Sequence, residues 1–257
     1  MIEQALRTSS LLVISLILLI LLLAATHVGR IIGRRRRDRT EDKDASSLAT
    51  GMLGIFALLI AFTYSLSLTR YDTRRSMVLE EANAIGTTAN YALMLPANRK
   101  AAILPLLDRY TRLRIDLGSP YEDRFHVRND AANATLTRLW KEATALTAEA
   151  PQSLPAYRFV SALNEQTNIA EARITALRNH VPILVLIVLS VIAMVSLGFA
   201  GFASGLAGFD RYVGLTIMAA AITMLIAMTI DLDRPNRGSI EISKQPLIDA
   251  LDALPKQ

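Results

Sequence analysis

Four long runs without a charged residue alternate with charged segments along the chain. The runs cover residues 9–28, 45–69, 181–209 and 212–230. A helix needs about 20 apolar residues to cross a bilayer, so the pattern predicts four transmembrane helices. The first run also resembles a signal peptide. It is longer than a typical signal core and lacks a clear small-residue cleavage site, so we interpret it as a retained transmembrane helix.

The charged segment between the second and third runs, residues 70–180, has apolar residues at helical spacing. Val78, Ala82, Ile85 and Ala89 mark one such face, and similar faces follow Pro96 and end at later turn residues. No segment alternates apolar and polar residues long enough to indicate a strand. The fold class is therefore predicted to be all-α: a polytopic membrane protein with four transmembrane helices and a helical-bundle soluble domain between spans two and three.

A single helix is predicted to join the second span to the soluble domain, because nothing in residues 59–86 breaks a helix and the first breaker is Pro96. The predicted organisation has four parts. They are an N-terminal membrane hairpin (1–69) with a basic loop (29–44), the soluble domain (70–180), a C-terminal membrane hairpin (181–231) and a docking tail (232–257).

The net charge of +5 is largely local, since residues 34–39 hold five arginines. Short basic loops stay on the cytoplasmic side, which predicts a multi-pass protein of the inner (plasma) membrane with its soluble domain outside. We expect Arg34 to Arg39 to contact anionic lipid headgroups. No aromatic residues interleave with these arginines for base stacking, so we expect no nucleic-acid partner.

Chemistry is hard to find in this sequence. There are no cysteines, and the three histidines lie far apart without carboxylates at metal-ligand spacing. We therefore expect no enzyme activity, no catalytic residues, no metal and no cofactor. The spans contain no Asp, Glu, Lys or Arg, which argues against a proton relay. A passive channel with an apolar constriction is compatible with such spans.

The candidate pore-lining residues are Phe56 and Phe62 of the second span, although lipid-facing or core positions are the simpler interpretation. Beyond the span lies a charged collar: Arg70, Asp72, Arg74, Arg75, Glu80 and Glu81. In a symmetric ring of subunits its arginines could concentrate a small anion at the pore mouth. Within one subunit we interpret the collar as a salt-bridged joint.

A compact motif follows the fourth span: Asp231, Asp233, Arg234, Pro235 and Gly238. Its acidic residues could bind an ion or lock the tail against the long helix. Locking is the preferred interpretation, because Asp–Arg pairs beside a turn usually serve structure.

Two segments resemble the bestrophins: LIAFTYSLSLTRYDTRR, where the second span enters the soluble domain, and IDLDRPNRGSIEISKQPLIDAL after the fourth span. With EEANAIGT at residues 80–87, the chain is most similar to the bacterial bestrophin-like proteins (the DUF4239 family). The resemblance implies a four-span helical fold and, by analogy, a homopentameric anion channel lined by span two. The acidic cluster that binds calcium in animal bestrophins is not evident. Bestrophins also place the soluble domain in the cytosol, opposite to the orientation that the basic loop predicts.

Two functions are consistent with these observations. The first is an oligomeric, bestrophin-like anion channel formed by copies of this chain. The second is a non-conducting membrane sensor or scaffold whose helical domain binds a partner or ligand.

Overall fold

The computed structural model of the chain describes residues 10–36, 42–120, 123–208, 212–234 and 240–255. Within these ranges the regular structure consists of eight helices and no strands, which confirms the all-α fold. The helices are α1 (Leu11–Arg36), α2 (Asp42–Leu93), α3 (Ala97–Ile115), α4 (Asp123–Glu149), α5 (Leu154–Arg178), α6 (Ile183–Ala207), α7 (Tyr212–Asp233) and α8 (Gln245–Ala253).

The chain divides into two compact units. The membrane unit comprises Met1–Thr69 and His180–Arg234, and the soluble unit comprises Arg70–Asn179 and Pro235–Gln257. Helix α2 belongs to both, because its 52 residues continue without interruption through the boundary at Thr69. It ends at Leu93, ahead of Pro96, since a proline disfavours helical geometry in the residue before it.

The membrane unit contains four helices long and apolar enough to cross a bilayer: α1, the first part of α2, α6 and α7. The charge-free part of α2, residues 45–69, is the stretch that fits the bilayer thickness. One hydrophobic cluster forms the core of this unit, and Leu22, Ala193, Leu197 and Ile226 are buried in it. The four predicted transmembrane helices are therefore confirmed as helices of spanning length.

Helices α1 and α6 touch backbone to backbone. A Cβ atom added at Gly201 would collide with the carbonyl oxygen of Thr26, and one added at Gly29 would collide with that of Gly198. The same holds for Gly33 and Gly205. In membrane proteins, small residues at a helix–helix interface allow the two backbones to approach this closely. Helix α1 therefore continues through residues 29–36. The sequence predicted a loop from residue 29 onward, and for these eight residues that prediction was wrong.

In the soluble unit, the second part of α2 packs against α3, α4, α5 and the tail. Val78, Ala82 and Ile85 are buried in one cluster with Ile242 and Leu247 of the tail. A second cluster joins Ala89 and Ala92 to residues of α3, α4 and α5, and to Leu254 after α8. The small-residue face predicted along α2 is therefore the face that the soluble unit buries.

Candidate functional site

A buried charge network ties three helices of the soluble unit together. Glu81 of α2 is fully buried, and its Oε2 accepts a hydrogen bond of 2.5 Å from Nη1 of Arg173 on α5. Its Oε1 accepts from Nε of Arg114 on α3 and, at 3.1 Å, from the hydroxyl of Tyr110. Both arginines are themselves buried. We call these four residues the Glu81 network.

The Glu81 network carries a net positive charge. Burial alone would raise the pKa of Glu81, which lies twelve residues beyond the membrane-spanning stretch, but Arg114 and Arg173 outweigh it and hold that pKa below its ordinary value. Burial raises the pKa of Tyr110, and the charge of Glu81 raises it further, so the phenol stays neutral. Arginine keeps its proton in proteins. Two guanidinium groups therefore face one carboxylate in the protein interior.

The predicted charged collar does not form one set of contacts. Glu81 and Arg74, two helical turns apart, point into the protein, and Arg74 is only 2% exposed. Arg70 donates a 2.5 Å hydrogen bond to Oδ1 of Asn179. The other members, Asp72, Arg75 and Glu80, are exposed.

The two candidate pore-lining phenylalanines lie on different faces of α2. Phe56 is 4% exposed and belongs to the apolar core of the membrane unit, whereas Phe62 is 67% exposed. The difference follows from helix geometry, because six residues are more than one and a half turns.

An exposed stripe runs along α2 from the membrane unit into the soluble unit. Exposed residues recur at steps of three or four, the spacing that keeps side chains on one helix face. The α2 stripe consists of Leu48, Gly51, Ile55, Leu58, Phe62, Leu66, Thr69, Thr73, Ser76, Glu80, Asn83, Thr87 and Asn90. It is apolar through Leu66 and polar from Thr69 onward. No described residue of the same chain covers it.

The tail motif lies at the end of α7. Oδ1 of Asp233 accepts a 2.9 Å hydrogen bond from the backbone N–H of Val181, two residues before α6. Nδ1 of His180 lies 3.0 Å from the carbonyl oxygen of Asp233 and 3.5 Å from its Oδ2. Asp231 and Arg234 are also buried. Pro235 and Gly238 of the motif fall outside the described residues.

Metal binding has no obvious location in the described part of the chain, where no three His, Asp or Glu side chains cluster to hold an ion. Sequence reasoning missed the His180–Asp233 contact and the role of Glu81, because the partners are 53 and up to 92 residues apart. A signal for Glu81 was nevertheless present. It sits between Val78 and Ile85 on the small-residue face of α2.

The chain thus has the architecture of a helical membrane protein with four spans and a helical soluble unit inserted after the second. A model of the bestrophin-like domain matches residues 15–247, and the chain belongs to the bestrophin-like family. No protein with curated annotation matches it.

Solved structures agree on the fold. A bacterial bestrophin homolog from Klebsiella pneumoniae superimposes with a TM-score of 0.65 at 15% identity, covering 93% of this chain and 99% of the other. A single-residue variant of a Klebsiella pneumoniae homolog gives a TM-score of 0.68 at 15% identity, with coverage of 95% and 99%. A variant described as a membrane protein gives 0.66 at 14% identity, covering 92% and 98%. At such identities the likeness concerns the fold alone.

Proposed function

We propose that copies of this chain assemble into a homo-oligomeric, bestrophin-like anion channel in which the α2 stripe lines an axial pore. The observation that carries the proposal is the stripe itself. It is a face of one long helix that stays uncovered from Leu48 to Asn90, while other faces of α2 contribute buried residues. Membership in the bestrophin-like family supports the same arrangement.

The chemistry of the stripe suits a passive pore. Its apolar part, including Ile55, Leu58 and Phe62, would form a dry constriction that gates by excluding water. Its polar part would form a wetted vestibule lined by hydroxyl and amide groups. Of these residues, Phe62 is the constriction residue that we propose. Phe56 would need a different packing to reach a pore, because it is buried in the membrane unit.

Anion preference would come from the pore mouth and not from the spans. No charged residue occurs between Ala45 and Thr69. Arg75 is exposed just beyond this stretch, and a ring of such side chains would raise the local anion concentration. Glu80 lies on the α2 stripe and opposes this effect, so we expect only a modest preference for anions over cations.

The test is anion flux through purified protein in liposomes, together with a low-resolution view of the particle. We expect chloride flux and a ring of subunits with an axial hole. A monomeric or dimeric particle that passes no chloride across a range of pH and voltage would instead favour a non-conducting sensor or scaffold module.

We also propose that the basic end of α1 faces the cytoplasm and contacts anionic lipid. Arg34, Arg35 and Arg36 close α1 and are exposed, and short basic segments are retained in the cytoplasm. The soluble unit would then lie outside. Because the chain has no cysteine, Val127→Cys places one reporter at an exposed site of that unit. A membrane-impermeant maleimide should label it in intact spheroplasts. Labelling only after permeabilisation would reverse the orientation.

A further inference from the structure

A polar cavity of about 490 Å³ opens between α4 and α5 in the soluble unit. Its size is in the range of small-molecule sites. Arg114, which reaches it from α3, is the one member of the Glu81 network that lines it. The cavity lies within a single unit and is separate from the α2 stripe, so its role does not depend on conduction.

Arg114 brings unbalanced positive charge to the cavity wall. It is 1% exposed, its Nε donates to Glu81, and its Nη2 donates to the carbonyl oxygen of Ala170 at 3.1 Å. Its Nη1 has no hydrogen-bond partner among the described residues. Glu81 neutralises only one of the two buried guanidinium groups, since it also binds Arg173. A buried cation that is only partly neutralised is costly, and an anion in the cavity would relieve that cost.

The rest of the lining combines polar and apolar groups. Oδ1 of Asn129 is buried without a hydrogen-bond partner. Rotating the side-chain amide by half a turn would place its N–H donors at that position instead. Trp140 and Ile174 supply an apolar wall, and the indole N–H of Trp140 is already bonded to Thr167. Glu171 and Arg178, both exposed, carry opposite charges at the rim. The lining therefore suits one buried negative charge attached to an apolar body.

We propose that this cavity binds a small organic monocarboxylate, with the carboxylate on the Nη1 side of Arg114 and the apolar part against Trp140. A guanidinium group and a carboxylate match in geometry as well as in charge. Glu171 and Arg178 balance each other at the rim, so the one unbalanced positive charge of the Glu81 network matches a ligand with a single carboxylate.

The test uses the purified full-length protein in detergent, with binding measured by calorimetry and by thermal shift. The probes are phenylacetate and butyrate, with phenylacetamide and butyramide as neutral counterparts at equal ionic strength. At least one carboxylate should bind and raise the melting temperature, and its amide should bind about tenfold more weakly or worse, because the amide cannot form a charge-assisted hydrogen bond. Equal binding of acid and amide, or no binding of either acid, would overturn the proposal.

Two matched variants locate the site. Thr137 lines the cavity, and its hydroxyl donates to the carbonyl of Asn133; Thr144, two turns further along α4, makes the equivalent bond to Trp140 but does not line the cavity. Both threonines are exposed. Thr137→Leu should obstruct the cavity and weaken carboxylate binding about tenfold, whereas Thr144→Leu should not. Equal affinities in the two variants would place the binding elsewhere and defeat the proposal, whatever the outcome of the flux measurement.

Discussion

Nη1 of Arg173 lies 2.5 Å from Oε2 of Glu81, although 92 residues separate them in the sequence. Arg114 occupies the other carboxylate oxygen, so one side chain of α2 fastens both α3 and α5. Removing one partner of a buried ion pair lowers the free energy of unfolding by more than the intact pair contributes to it, because the remaining charge is left uncompensated. The soluble unit is therefore expected to be most sensitive at Glu81.

Replacing Glu81 by glutamine should destabilise the protein by about 3 kcal/mol or more, since two buried guanidinium groups would lose the one carboxylate that the described residues supply to them. The measurement is thermal unfolding of the detergent-solubilised protein. Glu80→Gln is the matched control, because Glu80 is adjacent and exposed, and it should leave the melting temperature nearly unchanged. Equal melting temperatures for the two variants would contradict the importance of the Glu81 network. Tyr110→Phe is a milder variant that removes only the 3.1 Å bond, should Glu81→Gln fail to fold.

The contribution of Glu81 should depend on pH in a defined direction. Its folded-state pKa is lowered from 4.5 by the two arginines, against the opposing effect of burial. The unfolded chain therefore takes up the proton first, so the stabilisation is complete above the unfolded pKa and is lost as the pH falls toward the folded one. The difference in melting temperature between the native protein and Glu81→Gln should be larger at pH 7 than at pH 4. A difference that grows on acidification would refute this assignment.

The contact between α1 and α6 should not tolerate even one methyl group. Gly201→Ala would place a carbon against the backbone of Thr26, and overpacking of this kind costs about 1 to 3 kcal/mol. At Gly214, near the start of α7, an added Cβ meets nothing within 4 Å, so Gly214→Ala should be neutral or slightly stabilising. Thermal stability of both variants in the same detergent checks the prediction. Indistinguishable losses would mean that the two helices can separate at little cost.

The contact between the end of α7 and Val181, just before α6, should depend on Asp233. Asp233→Ala removes the partner of the Val181 N–H and should cost about 1 to 3 kcal/mol, because that N–H is buried. Asp252→Ala, an exposed change in the last turn of α8, is the control. The same unfolding assay applies, and a loss no greater than that of the control would show that water replaces the carboxylate.

If the α2 stripe lines a pore, Phe62→Ala should increase anion flux, because the smaller side chain widens an apolar constriction. Phe199→Ala on α6 is the comparison, since Phe199 is also exposed in a span but lies off the stripe. Liposome flux per reconstituted protein is the measurement. An increase in both variants, or in neither, would count against Phe62 as the constriction.

The elements that sequence predicted well are those whose signal is local. Spans follow from uninterrupted hydropathy, and the length of α2 follows from the lack of any breaker before Pro96. The sequence groups Glu81 with the charged collar, interpreted as a salt-bridged joint, but it does not reveal that the partners Arg114 and Arg173 come from α3 and α5. Gly29 was placed in a loop because the arginines after it dominate the local composition, while its actual partner is the distant Gly198. Such pairings depend on tertiary packing, which a single sequence does not reveal.

The backbone contact between α1 and α6 can form only late in synthesis. Thr26 is made well before Gly201, which lies 175 residues later (201 − 26) and completes the contact. At ribosomal rates of about 5 to 20 residues per second, α1 waits roughly 9 to 35 seconds for that partner. During this interval the glycine face of α1 must be covered by lipid, by the insertion machinery or by a helix that is made before α6. If α1 were released into the bilayer at this stage, its glycine face would be free to pack against other helices. Glycine substitutions on this face should therefore affect membrane insertion and assembly as well as the stability of the finished protein.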